Sequence, residues 1–208
     1  MKKILVAIMA VLFAAPSFAQ YSSGGFSLSE SSLYYGIRLG MNIATLTGDN
    51  TDGYGSKVGL NFGGTVGLRV SDSTPIFLES GLYYTGCGAK KDKNNYVNLN
   101  YLELPLLIKY GFQATDDIAV LPFIGPTFRY GLFGGKQKYE ELNEVKKRDS
   151  FGSGKCKRAD VGIKLGCGAE YNKLYMELGY QFGITNIADN DDYSTHNGAL
   201  FINLGVNF

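Results

Sequence analysis

Residues 198–208 alternate along their whole length. Leu200, Ile202, Leu204, Val206 and Phe208 fall on one side, and Ala199, Phe201, Asn203, Gly205 and Asn207 on the other. A period of two belongs to a β-strand, whose successive side chains point to opposite faces. One face is apolar throughout. The other is mostly small or polar, and the segment stops on an aromatic residue. Such a strand separates two unlike media. Behind an export signal it is expected to close a β-barrel in an outer membrane, with Phe208 as the assembly signal.

The start of the chain supplies the export signal. Lys2 and Lys3 precede an apolar run over residues 4–15, and Ser17-Phe18-Ala19 puts small residues where a signal peptidase reads them. Residues 1–19 are therefore expected to be a signal peptide cut after Ala19. A spanning helix takes about 20 apolar residues, so the run is too short for an anchor. No Cys follows the cut, which argues against a lipoprotein. Residues 20–33, rich in Ser and Gly, read as a flexible lead-in, and 34–208 as one barrel domain. With 28 Gly, 15 Tyr and 13 Phe and no long helical pattern, the chain reads as all-β. A net charge of +1 argues against nucleic acid or a strongly charged partner.

Eight alternating segments are expected as strands: 34–46, 57–71, 75–88, 96–112, 117–133, 157–171, 174–187 and 198–208. Each meets the roughly 9–11 residues that a tilted strand needs to cross a bilayer. Connections 72–74, 113–116 and 172–173 are tight, and 47–56, 89–95, 134–156 and 188–197 are longer. That order suits three periplasmic turns, four outer loops and both chain ends in the periplasm. The expected fold is an eight-stranded antiparallel up-and-down transmembrane β-barrel in the outer membrane of a Gram-negative bacterium.

Charge sorts by face. From Tyr35, Val58, Ile76, Leu102, Ile118, Val161, Leu174 and Leu200 onward in their strands, the apolar-face positions hold no Asp, Glu, Lys or Arg. The opposite phase carries Arg38, Lys57, Arg69, Glu79, Glu103, Lys109, Arg129, Asp160, Lys164, Glu170 and Glu177. An Arg or Lys facing lipid at mid-membrane costs roughly 2–4 kcal/mol, so these belong inside the cylinder. A water-soluble sandwich would also sort charge by face. The terminal Phe208, the loop alternation and the export signal decide for the barrel.

Several segments resemble one family. Asn100-Tyr101-Leu102-Glu103-Leu104-Pro105-Leu106-Leu107-Ile108-Lys109-Tyr110 is similar to the fourth-strand signature of the PorT-like outer-membrane β-barrel proteins of Bacteroidota. Gly36-Ile37-Arg38-Leu39-Gly40-Met41-Asn42 resembles that family's opening strand. Pro122-Phe123-Ile124-Gly125-Pro126 and Gly179-Tyr180-Gln181-Phe182-Gly183-Ile184-Thr185-Asn186-Ile187 resemble its fifth and seventh strands. The resemblance implies an eight-stranded outer-membrane barrel and no single activity; the family's namesake assists protein secretion.

An eight-stranded barrel is filled by side chains and has no aqueous channel. The inward charges are therefore expected to form a salt-bridged plug, with inward Gly40, Gly63, Gly67, Gly81, Gly166 and Gly179 making room. Glu79 and Glu103 are placed near Arg69 and Lys109 on adjoining strands. Removing one partner of a buried pair costs roughly 3–5 kcal/mol, so Glu103→Ala is expected to impair folding without opening a pore. Pro105, Pro122 and Pro126 remove ladder donors, and either bulges or an irregular strand near Pro122 and Pro126, or a fifth strand shorter than 117–133, is expected. Tyr110, Phe112, Tyr171 and Phe208 at one rim, and Tyr84 and Tyr130 at the other, read as interfacial girdles.

Other chemistry is sparse. His196 is the chain's one His, with Ser194 two positions away and Asp191 and Asp192 beside it. That set is the material of a nucleophile and base, but a loop His among Asp, Asn and Ser reads as solvated. Residues 189–192 carry oxygen ligands without the spacing of a calcium loop. Cys87 and Cys156 fall near outer strand ends, where a disulfide across the mouth is conceivable; Cys167 faces lipid. No catalytic residue, metal or cofactor is assigned. The expected function is a non-enzymatic scaffold presenting loops for structural, adhesive or secretion-accessory interactions. A narrow channel or transporter for small or hydrophobic solutes is second, and a lipid-modifying hydrolase third. Expected partners are outer-membrane lipid, the barrel-assembly machinery, and a protein or glycan at the charged loop 134–156.

Overall fold

The computed structural model describes residues 33–49, 51, 53–71, 73–91, 95–132, 135–141, 144–152, 155–189, 192 and 194–208. The signal peptide and nearly all of the lead-in lie outside them. The strands are β1 (Leu33–Gly48), β2 (Gly55–Arg69), β3 (Ile76–Lys90), β4 (Tyr96–Tyr110), β5 (Phe112–Gln113), β6 (Ile118–Gly131), β7 (Lys136–Glu141), β8 (Glu144–Asp149), β9 (Ala159–Tyr171), β10 (Leu174–Gly183) and β11 (Thr195–Asn207). Eight of them form one antiparallel cylinder in the order β1-β2-β3-β4-β6-β9-β10-β11. It closes because β1 pairs with both β2 and β11.

The register fixes the cylinder's shape. From Leu33 the cross-strand partners run through Leu68, Leu78, Ile108, Ile124, Leu165, Tyr180 and Leu200 to Ile43. The path returns to β1 ten residues beyond its start. With ordinary strand spacing and rise, that stagger tilts the strands by about 40° and gives a radius of about 8 Å. Such a cylinder holds side chains and little else.

The period of two becomes inside and outside. Leu39, Leu60, Ile108, Ile124, Leu174, Leu204 and Phe208 are among the large apolar residues exposed on the outer wall. Their neighbours in sequence, including Arg38, Asn61, Lys109, Phe123, Tyr175 and Asn203, are buried inside. At one end the turns are tight. Asn172 adopts φ 55° between the paired residues Tyr171 and Leu174, a left-handed conformation that Asn tolerates better than most residues. At the other end lie the longer connections.

Several sequence expectations are corrected. The segment 134–156 contains the hairpin β7–β8, joined to the end of β4 through Tyr96↔Lys138 and Val97↔Gln137. The fourth segment breaks at Gly111, whose N–H donates to Pro75 O, and Phe112–Gln113 pairs back onto β6. The seventh stops at Gly183, after which Ile187 turns inward and is fully buried.

At the prolines the expected irregularity takes the form of a lapse in one ladder and not of a bulge. The β6–β9 ladder runs unbroken from Ile118↔Tyr171 to Tyr130↔Ala159 through both Pro122 and Pro126. Alternate residues of an antiparallel strand bond to opposite neighbours, so two prolines four apart lose donors on the same side. That side is β4, where the ladder lapses between Pro105↔Thr127 and Ile108↔Ile124 without changing register. Ser80 Oγ donates to Pro105 O at 2.8 Å on the adjoining seam. The register shift falls instead in β2–β3, between Ser56 and Asn61.

Candidate functional site

The buried charges form three tiers along the barrel axis. In the tier nearest the turns, Glu79 Oε2 accepts from Tyr34 Oη at 2.6 Å and pairs with Lys109 Nζ at 2.8 Å. Arg38 lies 3.8 Å from the same oxygen and stacks 4.0 Å over the Tyr175 ring. Lys109 also donates to Tyr175 Oη at 2.8 Å. Arg38 donates to Asn207 Oδ1 at 2.6 Å, and the Asn207 amide donates to Glu170 Oε2 at 2.8 Å.

In the middle tier Lys164 Nζ donates to Glu103 Oε1 at 3.1 Å, with the Phe201 ring 4.3 Å from the ammonium. Glu177 accepts from Asn203 Nδ2 at 2.7 Å, and Gln181 donates to Thr127 Oγ1 at 2.8 Å. Toward the loops, Arg129 meets Asp160 Oδ2 at 2.7 Å in an ionic contact not aligned as a hydrogen bond. Asn197 donates to both Asp160 Oδ2 and Tyr101 Oη.

Two of the cations grouped with this set by sequence sit at its margins. Arg69 is half-buried at the turn end, where its Nε donates to Ser71 O. Lys57 is half-buried at the loop end. Neither is among the buried charges, which among the described residues comprise four cations (Arg38, Lys109, Arg129, Lys164) and five carboxylates (Glu79, Glu103, Asp160, Glu170, Glu177). Glu79 pairs with Lys109, as placed from the sequence. Glu103 reaches Lys164 two strands away, past β6, which presents only Gly125 opposite Lys164.

The inward aromatics were missed in the sequence. Tyr34, Phe77, Tyr83, Tyr101, Phe123, Tyr175 and Phe201 are all buried. The room made by inward glycines is taken by these rings. A Cβ on Gly67 would collide with Tyr34, one on Gly63 with Tyr83, one on Gly166 with Phe123 and one on Gly179 with Phe201. The available signal was phase: each ring shares strand parity with the buried charges or, for Phe201, with the buried Asn203.

The loop end is capped. Phe151 is buried edge-on against Tyr101, with ring centroids 5.4 Å apart. Ser150 Oγ donates to Asn98 O at 2.6 Å, and Arg158 donates to Gly131 O at 2.8 Å while lying over Phe151. Cys87 and Cys156 are free thiols. Cys87 accepts from Arg129 at 3.6 Å and Cys156 from Gln137 at 3.7 Å, so both thiols face other partners and no bridge spans the mouth.

Ser194 Oγ and His196 Nε2 are 2.8 Å apart, and His196 Nδ1 lies 3.1 Å from Thr185 O. The group beyond the imidazole is a backbone carbonyl, not a carboxylate. The N–H of Ser194 is taken by Asp49 Oδ2 and that of Thr195 by Asn186 Oδ1. Acyl transfer needs donors aimed at a developing oxyanion, and these two are spent. The pair clasps the ends of β1, β10 and β11. Asp191 lies outside the described residues, and among those described no group of three His, Cys, Asp or Glu is placed to hold a metal ion.

A closed antiparallel cylinder with an apolar outer wall and an ionic interior is the architecture of an integral β-barrel membrane protein. The chain belongs to the outer membrane protein beta-barrel domain family, whose model matches residues 18–189. Among solved structures it is similar to Neisserial surface protein A at 14% identity, covering 86% of this chain and 98% of that one, with a TM-score of 0.48. It is also similar to the attachment invasion locus protein Ail of Yersinia pestis (11%, 86% and 100%, 0.43) and to OprG of Pseudomonas aeruginosa (12%, 88% and 99%, 0.45). No curated protein matches the chain.

Proposed function

We propose that this protein is a non-enzymatic scaffold of the outer membrane that holds surface loops for structural, adhesive or secretion-accessory contacts. The filled interior carries this reading. Charged residues at every tier are buried and engaged with one another, and Phe151 closes the loop end. A rigid plugged barrel is a mount, and function on such a mount lives in its loops. The hairpin β7–β8 extends the sheet beyond the end of β4 and offers exposed Lys146, Lys147 and Arg148 to a protein or glycan. Both chain ends lie in the periplasm in this reading, residues 1–19 direct export, and Phe208 is read by the assembly machinery. The resemblance of residues 100–110 to the PorT-like proteins supports a place among Bacteroidota barrels.

Two measurements test the proposal. Purified protein in a planar bilayer is expected to give no conductance above the lipid baseline; stable channel steps would favour the transporter reading and overturn the scaffold. Lys147→Cys on intact cells is expected to react with a membrane-impermeant maleimide above the wild-type background, whereas Asp117→Cys in a tight turn is not. The reverse pattern would invert the orientation.

A further inference from the structure

The seam between β2 and β3 is open near the loop end. Its ladder runs Gly55↔Lys90 and Ser56↔Ala89, then resumes only at Asn61↔Thr85. Five steps along β2 match four along β3, which is a bulge. Residues 57–59 stay paired to β1 and 86–88 to β4, so the wall keeps its outer ladders and loses the shared one. Lys57 lies in the interrupted stretch. Lys90 and its partner Tyr96 lie at its edge.

A cavity of about 410 Å³ opens here, lined by Lys57, Lys90, Tyr96 and Asn98. Its size falls in the roughly 300–1,000 Å³ range of small-molecule sites. Among the described residues, the wall offers two ammonium groups, a phenol and an amide, and no carboxylate. Asn98 Oδ1 is buried and makes no hydrogen bond, so the wall carries an unsatisfied acceptor. Along the outside of the same seam, Val58, Leu60 and Leu82 are exposed, and Phe62 stacks on Tyr84 with centroids 5.1 Å apart. Cationic and polar groups at the rim thus stand directly above an apolar strip.

We propose that this cleft binds the phosphorylated sugar head of an outer-leaflet glycolipid. Lys57 and Lys90 take the phosphate, Asn98 takes a sugar hydroxyl, and the acyl chains lie along Val58, Leu60 and Phe62. The site rests on the reading that the loop end faces the cell surface. A free phosphate shares the head-group chemistry but would leave the apolar strip unused.

The test uses the purified full chain in detergent, where orientation plays no part. Native mass spectrometry measures retention of diphosphorylated lipid A, the same lipid with its phosphates removed, and inorganic phosphate as competitor. Lys57→Gln/Lys90→Gln is expected to weaken lipid A retention by roughly tenfold or more, since charge-assisted contacts are lost. Lys173→Gln at the opposite end is expected to change nothing. The dephosphorylated lipid is expected to bind the wild type as weakly as lipid A binds the double variant.

Equal retention by wild type and double variant would overturn the site. So would equal binding of the dephosphorylated lipid. Full displacement by inorganic phosphate at equimolar concentration would make it a free-anion site and sink the glycolipid assignment. Retained gel mobility of the unheated double variant separates lost binding from lost folding. Because binding in detergent is independent of orientation, failure of the surface-labelling experiment leaves this result readable on its own.

Discussion

Replacing Glu103 by Ala tests the interior network most directly. Glu103 is fully buried, and its partner Lys164 is 2% exposed. At 3.1 Å and an effective dielectric of about 20, the attraction is about 5 kcal/mol. Removing the carboxylate leaves the buried ammonium without its hydrogen-bonded partner, bordered by Gly125 and the Phe201 ring. Measured losses for such one-sided removals run about 3–5 kcal/mol. The Phe201 ring offsets a small part, since a buried cation over an aromatic face gains about 1–2 kcal/mol. A net loss of about 3 kcal/mol is expected for Glu103→Ala. Urea unfolding of the folded barrel in lipid vesicles reads it. Lys164→Met in the Glu103→Ala background is expected to restore at least half, because the uncompensated charge is gone. Neither variant is expected to conduct. Strict additivity of the two substitutions would show that the pair is not coupled, and unchanged stability of Glu103→Ala would show that water reaches Lys164. Either result would refute the dry plug.

Gly67→Ala is expected to cost about 1–3 kcal/mol in the same assay, because the new Cβ meets the Tyr34 ring. That ring is tied to Glu79 by its hydroxyl and cannot swing aside without breaking the bond. Deleting residues 137–148 is expected to leave the heat-modifiable gel shift of the barrel intact, since only two cross-strand pairs join the hairpin to β4. His196→Ala is expected to loosen the β10–β11 loop toward added protease while leaving lipid A composition unchanged by mass spectrometry; an altered acyl pattern would establish the hydrolase. Burial pushes the Cys156 thiol up to about 11. At pH 8 it is almost wholly protonated, so maleimide should modify it far more slowly than a free thiol, with the rate rising through pH 9 to 11; rapid reaction at pH 7 would show an open cap.

The sequence by itself determined which residues face lipid and which face inward. That information is local: a strand turns its side chains by half a circle at each step, and a charge against lipid is costly enough to keep the two phases clean. Leu204 beside Asn203, and Leu39 beside Arg38, therefore declare their sides without any knowledge of neighbours. Strand number and the alternation of short and long connections were legible for the same reason. Tertiary structure alone decided the partners. The ten-residue stagger slides each strand along the next, so Glu103 meets Lys164 across β6 while Arg69 remains at the rim. It also decided that inward glycines seat aromatic rings, that Phe151 caps the mouth, and that the bulge opens beside Lys57 and not at the prolines. These depend on distances between residues far apart in the chain, which are set by tilt and closure of the whole cylinder and are written in no single strand.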